Sequence, residues 1–134
     1  MPSAPRALAS RDSSMASRVG DRLVVLSGDD ATTFPLMAVG ARGVISVVSN
    51  VMPAEFAAMW DAVVANDWKR ARELHYRLFP MARAAFIETN PIPIKEAMAI
   101  AGLLEPEFRP PMCRMSDANR ERLRAVLKQY GLAK

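Results

Sequence analysis

The sequence predicts an α/β chain, mostly helical, with one parallel β–α–β unit followed by about four amphipathic helices. Three observations carry that reading. First, "RLVVL" (Arg22–Leu26) and "GVISVV" (Gly43–Val48) are short, continuous, β-branched apolar runs. Such runs suit strands covered on both faces, as in parallel sheets. Second, "ATTFPLMAVG" between them has room only for a brief helix, which Pro35 confines to its first turn. Third, the apolar period becomes helical after Asn50 and stays so.

Residues 1–20, "MPSAPRALASRDSSMASRVG", precede these elements and show no steady apolar period. A flexible arm is expected there. The Arg- and Ser-rich composition also suits a transit peptide, but Asp12 and the two prolines weaken that reading. The β–α–β unit follows and should cross over right-handed. Adjacent carboxylates Asp29 and Asp30 are expected to cap a helix starting at Ala31 rather than to form an acid–base or metal pair.

Past Asn50, Met52, Phe56, Met59, Trp60 and Val63 share one face of a helix that Pro53 and Glu55 start well. Asp67 caps a longer helix with the stripe Ala71, Leu74, Leu78, Ala82, Ala85 and Phe86. Pro80 is expected to kink or split it. "NPIPIK" (Asn90–Lys95) opens a third helix that Gly102 ends. "EPEFRPPMCRM" is a loop. Ser116 and Asp117 then start a last helix with the face Leu123, Val126, Leu127 and Tyr130, ended by Gly131.

The totals bound what such a chain does. At 134 residues it is about one domain, and 51% apolar and 24% charged residues are ordinary for a globular protein. No run reaches the roughly 18–20 apolar residues of a membrane span. The single cysteine, Cys113, forms no internal disulfide, so a reducing cytoplasm is the expected compartment. The net charge of +4 is spread along the chain. Its densest basic group, Arg120, Arg122, Arg124 and Lys128, has no interleaved aromatics for base stacking, so nucleic acid is not an expected partner. His75, the lone histidine, belongs to no closed ligand set, so no metal is expected.

Two strands alone leave two open sheet edges and little area to cover. Strands this apolar expect neighbours on both sides, so the sheet reads as one slice of a larger one.

"LSGDD", "GVISV", "ARELHYRLFPMARAAF" and "NPIPIK", in that order and spacing, resemble the dihydrodipicolinate synthase family, from about Val19 to Leu132. "NPIPIK" favours that branch over the related sialic-acid lyases. The resemblance implies a (β/α)8 barrel followed by a C-terminal helical domain. This chain then corresponds to the last two βα units of the barrel plus that domain. The divisions are an arm at 1–20, a partial barrel at 21–66 and the helical domain at 67–134.

The resemblance also implies a chemistry. A lysine at the end of strand six forms a Schiff base with pyruvate, because an amine makes an imine that acts as an electron sink. The enamine adds to aspartate semialdehyde while a tyrosine relays protons. Those groups lie upstream of the part resembled, so no catalytic residue is assigned. Lys69, Lys95, Lys128 and Lys134 all lie past the barrel strands, away from the C-terminal strand ends where barrel chemistry occurs. Tyr76 and Tyr130 read as helical core or interface residues. Two substrate-binding positions remain by resemblance. Gly28 matches the family's small residue beside pyruvate, and Ile45 matches a strand-eight residue whose main chain faces the pocket. The side chain of Ile45 is expected to be buried. No cofactor is expected.

The expected function is therefore the C-terminal part of a pyruvate-dependent, Schiff-base lyase, inactive alone. Pyruvate would bind only in a completed barrel, with a complementing N-terminal chain or a homo-oligomer as partner. The alternative is a non-enzymatic helical interaction module derived from that fold.

Overall fold

The computed structural model describes residues 14, 15 and 17–133, and five α-helices follow one another from Thr33 onward. They are α1 Thr33–Ala38, α2 Pro53–Val64, α3 Trp68–Ala84, α4 Ile92–Ile100 and α5 Asp117–Lys128. Two 3-10 turns, Gly20–Arg22 and Val48–Asn50, lie before α1 and α2. The expected flexible arm falls mostly outside the described residues. Those described there, 14, 15 and 17–19, are helical.

Helix starts follow their local chemistry. Pro53 stands at the first position of α2, where its missing N–H leaves nothing unpaired. Asp67 caps α3 by accepting from the Arg70 amide at 2.9 Å. α5 is capped differently from the expectation. Ser116 stands at its N-cap, but its own side chain bonds no α5 amide. Glu88, from the turn after α3, accepts from the Ser116 amide at 3.1 Å, the Ser116 hydroxyl at 2.6 Å and the Asn119 side-chain amide at 2.8 Å. These bonds hold the Glu88 carboxyl below its usual range.

The core lies among the helices. Phe56 and Met59 of α2, Leu74, Leu78 and Met81 of α3, and Leu123 and Leu127 of α5 belong to one buried cluster. Each large apolar side chain so buried contributes about 2 kcal/mol relative to exposure. Glu96 of α4 is buried and pairs with Arg120 of α5 at 2.5 Å. The Tyr130 hydroxyl, just past α5, donates to the Arg77 carbonyl of α3 at 2.6 Å, and burial pushes its phenol above the usual range.

Two expectations are narrowed and a third is corrected. Pro80 does not split α3, which runs unbroken over 17 residues. The proline has no N–H for the Tyr76 carbonyl, but Tyr76 lies on the exposed face, where solvent can reach that carbonyl. Of the two roles expected for Tyr76, core or interface, its 67% exposure excludes the core. Phe86 leaves the buried stripe and is 45% exposed. The amides of Phe86 and Ile87 bond three residues back, to Arg83 and Ala84, and this tighter turn rotates Phe86 outward.

The two β-branched runs form no extended strands. Their pairing is parallel, as expected, but reduces to a single bridge between Ser27 and Val44. The carbonyls of Val25 and Ser27 accept from the amides of Arg42 and Ile45. One segment thus advances two residues while the other advances three. That bulge interrupts the regular ladder. The runs are also not covered on both faces: Leu23, Val24, Leu26 and Ile45 are all exposed. Ile45, whose side chain was expected to be buried, is 70% exposed.

Candidate functional site

The loop after the first run is stapled by its own side chains. Ser27 is buried, and its hydroxyl donates to the Asp29 carbonyl at 2.9 Å and accepts from the Asp29 amide at 3.3 Å. The Thr33 hydroxyl reaches the same carbonyl at 2.8 Å from the first turn of α1. Asp29 accepts from the Thr32 amide at 3.1 Å, so it caps the turn before α1, close to the expected role.

Asp30 does something else. It is buried, and its Oδ2 accepts from the amides of Val47 at 3.0 Å and Val48 at 3.1 Å. The carboxylate therefore caps the 3-10 turn that begins at Val48, from 17 residues upstream. Its Oδ1 is buried without a hydrogen-bond partner. Neither aspartate is free to serve as an acid–base pair, because each holds backbone amides.

The bridge brings the two predicted binding residues together. The Ile45 amide donates at 2.8 Å to the Ser27 carbonyl, which belongs to the peptide joining Ser27 to Gly28. Both residues face open space, and a Cβ added to Gly28 would meet nothing within 4 Å. They form a ledge rather than an enclosed pocket.

No described lysine joins that ledge. Lys69 and Lys128 are exposed on α3 and α5. The Lys95 ammonium donates to the Glu107 carbonyl and sits 5.1 Å from the centre of the Phe108 ring, which ties α4 to the following loop. Lys134 lies outside the described residues. No cluster of histidine, cysteine and carboxylate residues among the described residues has the shape of a metal site. No described helix is long and apolar enough to cross a membrane.

A second feature was not foreseen. Beside the 29–32 loop, α3 and α5 border an open groove of about 780 Å³. Phe79, Pro80, Phe86 and Val126 supply its apolar surface, and Arg83 and Arg122 its cations. The exposed side of α3 continues the aromatic character. His75 stacks on Phe34 of α1 at 5.2 Å and lies 5.8 Å from Phe79, and burial pulls its pKa below the usual 6.5. The signal for this face was in the sequence. Trp68, Arg72, His75, Phe79, Arg83 and Phe86 recur at three-, four- and seven-residue steps and trace one side of a helix.

Comparison with known proteins places these features in a family. A sequence profile described as the Dihydrodipicolinate synthetase family matches residues 8–130. The 4-hydroxy-tetrahydrodipicolinate synthase of Aquifex aeolicus (strain VF5) is 50% identical over 122 residues, 91% of this chain and 42% of the relative. That of Thermodesulfovibrio yellowstonii is 49% identical over 115 residues, 86% of this chain and 40% of the relative. Among solved structures, the dihydrodipicolinate synthase of Aquifex aeolicus aligns with a TM-score of 0.88 at 49% identity, covering 92% of this chain and 42% of that one. A chloride-inhibited dihydrodipicolinate synthase from Acinetobacter baumannii, complexed with pyruvate, aligns at 0.88 with 32% identity, covering 92% of this chain and 43% of that one. The chain thus spans about two-fifths of the length of the curated relatives it matches.

Proposed function

Because the chain belongs to the dihydrodipicolinate synthetase family, we propose that it is the C-terminal portion of a lyase that joins pyruvate to aspartate semialdehyde in lysine biosynthesis. In this reading residues 21–66 are the last two βα units of a (β/α)8 barrel and 67–134 its helical domain. The observation that carries it is the bridge that sets Gly28 beside Ile45 on a ledge open to solvent. An open ledge supports the view that further barrel strands complete the pocket.

In a completed barrel the chemistry divides between two parts. A lysine amine from the complementing part adds to the keto carbon of pyruvate and water leaves, giving an imine. Loss of a methyl proton gives the enamine, whose carbon attacks the aldehyde carbon of the second substrate. Gly28 leaves room for the pyruvate body because it carries no side chain. Ile45 offers main chain beside it. Ser27, Thr33 and Asp30 hold these two positions in register through the bonds already described. The chain alone has no amine at the ledge among the described residues, so it does not catalyse.

Pyruvate with borohydride tests this. The isolated chain should give no stoichiometric, saturable adduct, because there is no imine to reduce. Saturable labelling of one lysine, Lys69 or Lys95, would overturn it. Adding a polypeptide that carries strands one to six should produce activity. Such a chain is the proposed partner and the cytoplasm the proposed compartment.

One observation favours a second reading, a non-enzymatic helical module. The helices close their own core through Leu74, Leu78, Leu123 and Leu127, whereas the bridged segments leave Leu23, Val24 and Ile45 exposed. Co-purification with a larger barrel-bearing chain favours the lyase. Stable, functional isolation favours the module.

A further inference from the structure

We infer that His75 is a pH-sensitive latch for α1: when it takes up a proton, α1 and the loop that carries Gly28 open more often from α3. The inference stands apart from the lyase reading, because it concerns how α1 is held and not what binds beside Gly28.

The first observation is geometric. The His75 ring, on α3, stacks on Phe34 of α1 with centres 5.2 Å and planes 26° apart. Phe79 meets the same imidazole edge-on at 5.8 Å, and the Tyr76 ring lies 5.6 Å away. α1 is only six residues long, with Leu36 and Met37 as its buried apolar side chains. A helix this short, held by few side chains, is the kind of element that opens on its own. Thr33, at its start, donates to the Asp29 carbonyl at 2.8 Å, so a displacement of α1 pulls on the loop that follows Gly28.

The second is the lack of a counter-charge. α1 carries no charged residue. In the loop before it, Asp29 accepts from the Thr32 amide, and Asp30 from the Val47 and Val48 amides. On α3 the positions one turn from His75 are Ala71, Arg72, Leu78 and Phe79, so the one charge among them is another cation. Tyr76 brings a phenol and not a carboxylate. No carboxylate among the described residues pairs with His75; Glu73 pairs with Arg70.

The third is the direction of the effect. A proton on the ring gains attraction to the π-face of Phe34. It loses hydration on the face that Phe34 covers, with no anion to offset the loss. Burial wins, since it pulls His75 below its usual 6.5. The ring therefore binds a proton more readily once α1 lifts away, and acid favours the open form. His75 is the only histidine, so no other side chain has its ordinary titration between pH 5.5 and pH 7.5.

The test is hydrogen exchange of the whole chain at pH 7.5 and pH 5.5, corrected for the intrinsic pH dependence of exchange. The probes are the Leu36, Val39 and Ala41 amides, which bond within α1 and the turn after it, with the amides of α5 as reference. The α1 probes should be less protected than α5, and acid should lower their protection at least about twofold. His75→Phe keeps a ring on Phe34 without a titrating proton and should abolish the acid effect. His75→Gln loses ring and proton together and should lower protection alike at both pH values. The inference is overturned if the α1 probes keep their protection at pH 5.5, whether or not α5 loses its own, because His75 would then be released only by global unfolding. It is equally overturned if α1 and α5 are protected alike at both pH values, if acid raises the protection of α1, or if His75→Phe responds to acid as the parent does.

Discussion

Asp30→Ala will destabilise the chain by about 2 kcal/mol. The substitution strips the Val47 and Val48 amides of their acceptor. Val48 is fully buried, so its amide incurs about 2 kcal/mol of unmet desolvation, and the half-buried Val47 amide about 1 kcal/mol. Against this, alanine removes the partnerless buried Oδ1, whose relief returns about 1 kcal/mol. The lost amide bonds win. Asp30→Asn keeps one oxygen for both amides but gives up the charge and buries an N–H₂ in place of Oδ1. Its cost should be smaller, about 1 kcal/mol. Urea titration followed by circular dichroism reads the difference. With a slope near 2 kcal/mol per molar, the alanine midpoint falls by about 1 M and the asparagine midpoint by half as much. Hydrogen exchange should show the Val47 and Val48 amides losing protection in the alanine variant alone. An alanine midpoint within about 0.2 M of the parent, or asparagine worse than alanine, would refute the reasoning.

Three further outcomes are expected. Glu88→Ala removes the acceptor for three donors at the start of α5 and should cost about 1 kcal/mol, read as a lower thermal midpoint; no change would mean that water replaces the cap. Arg120→Ala leaves the buried Glu96 carboxylate unpaired, but Arg120 is 41% exposed, so screening lowers the loss to about 2 kcal/mol; Glu96→Gln should cost less, and the reverse order would sink the assignment. Burial depresses His75 below 6.5, so the unfolded chain binds a proton that the folded chain resists; stability is full above pH 6.5 and falls as the pH drops toward the folded value, and His75→Phe should flatten that acid limb in a pH series of urea midpoints.

The helices were legible in the sequence because each carries its own period and its own start. Pro53 and Asp67 act on neighbours within a turn, and the stripe from Ala71 to Ala82 lies on one helix. The strands were overread because β-branched apolar runs signal strand whether or not a ladder forms, and no local signal marks the extra residue in the bulge. Phe86 was misassigned because a change from four-residue to three-residue bonding at a helix end is invisible to a fixed period. Gly28 and Ile45 were proposed by resemblance alone, and the bridge between Ser27 and Val44 makes them neighbours. The ties from Asp30 and Glu88 were illegible because their partners lie 17 and 28 residues away. Chain separation of that size leaves no pattern in a single sequence.

The aromatic contact between α1 and α3 has an optical consequence. Trp68 sits 6.0 Å from the Phe34 ring, and its indole N–H donates to the Asn66 side chain at 2.8 Å. Phe34 in turn stacks on His75. Emission from Trp68 therefore senses whether α1 remains seated on α3, without any added dye. Trp60, on α2, is the other tryptophan, so Trp60→Phe isolates the signal. A red shift that precedes the loss of helical signal during urea titration would time the departure of the ledge from the helices that carry it.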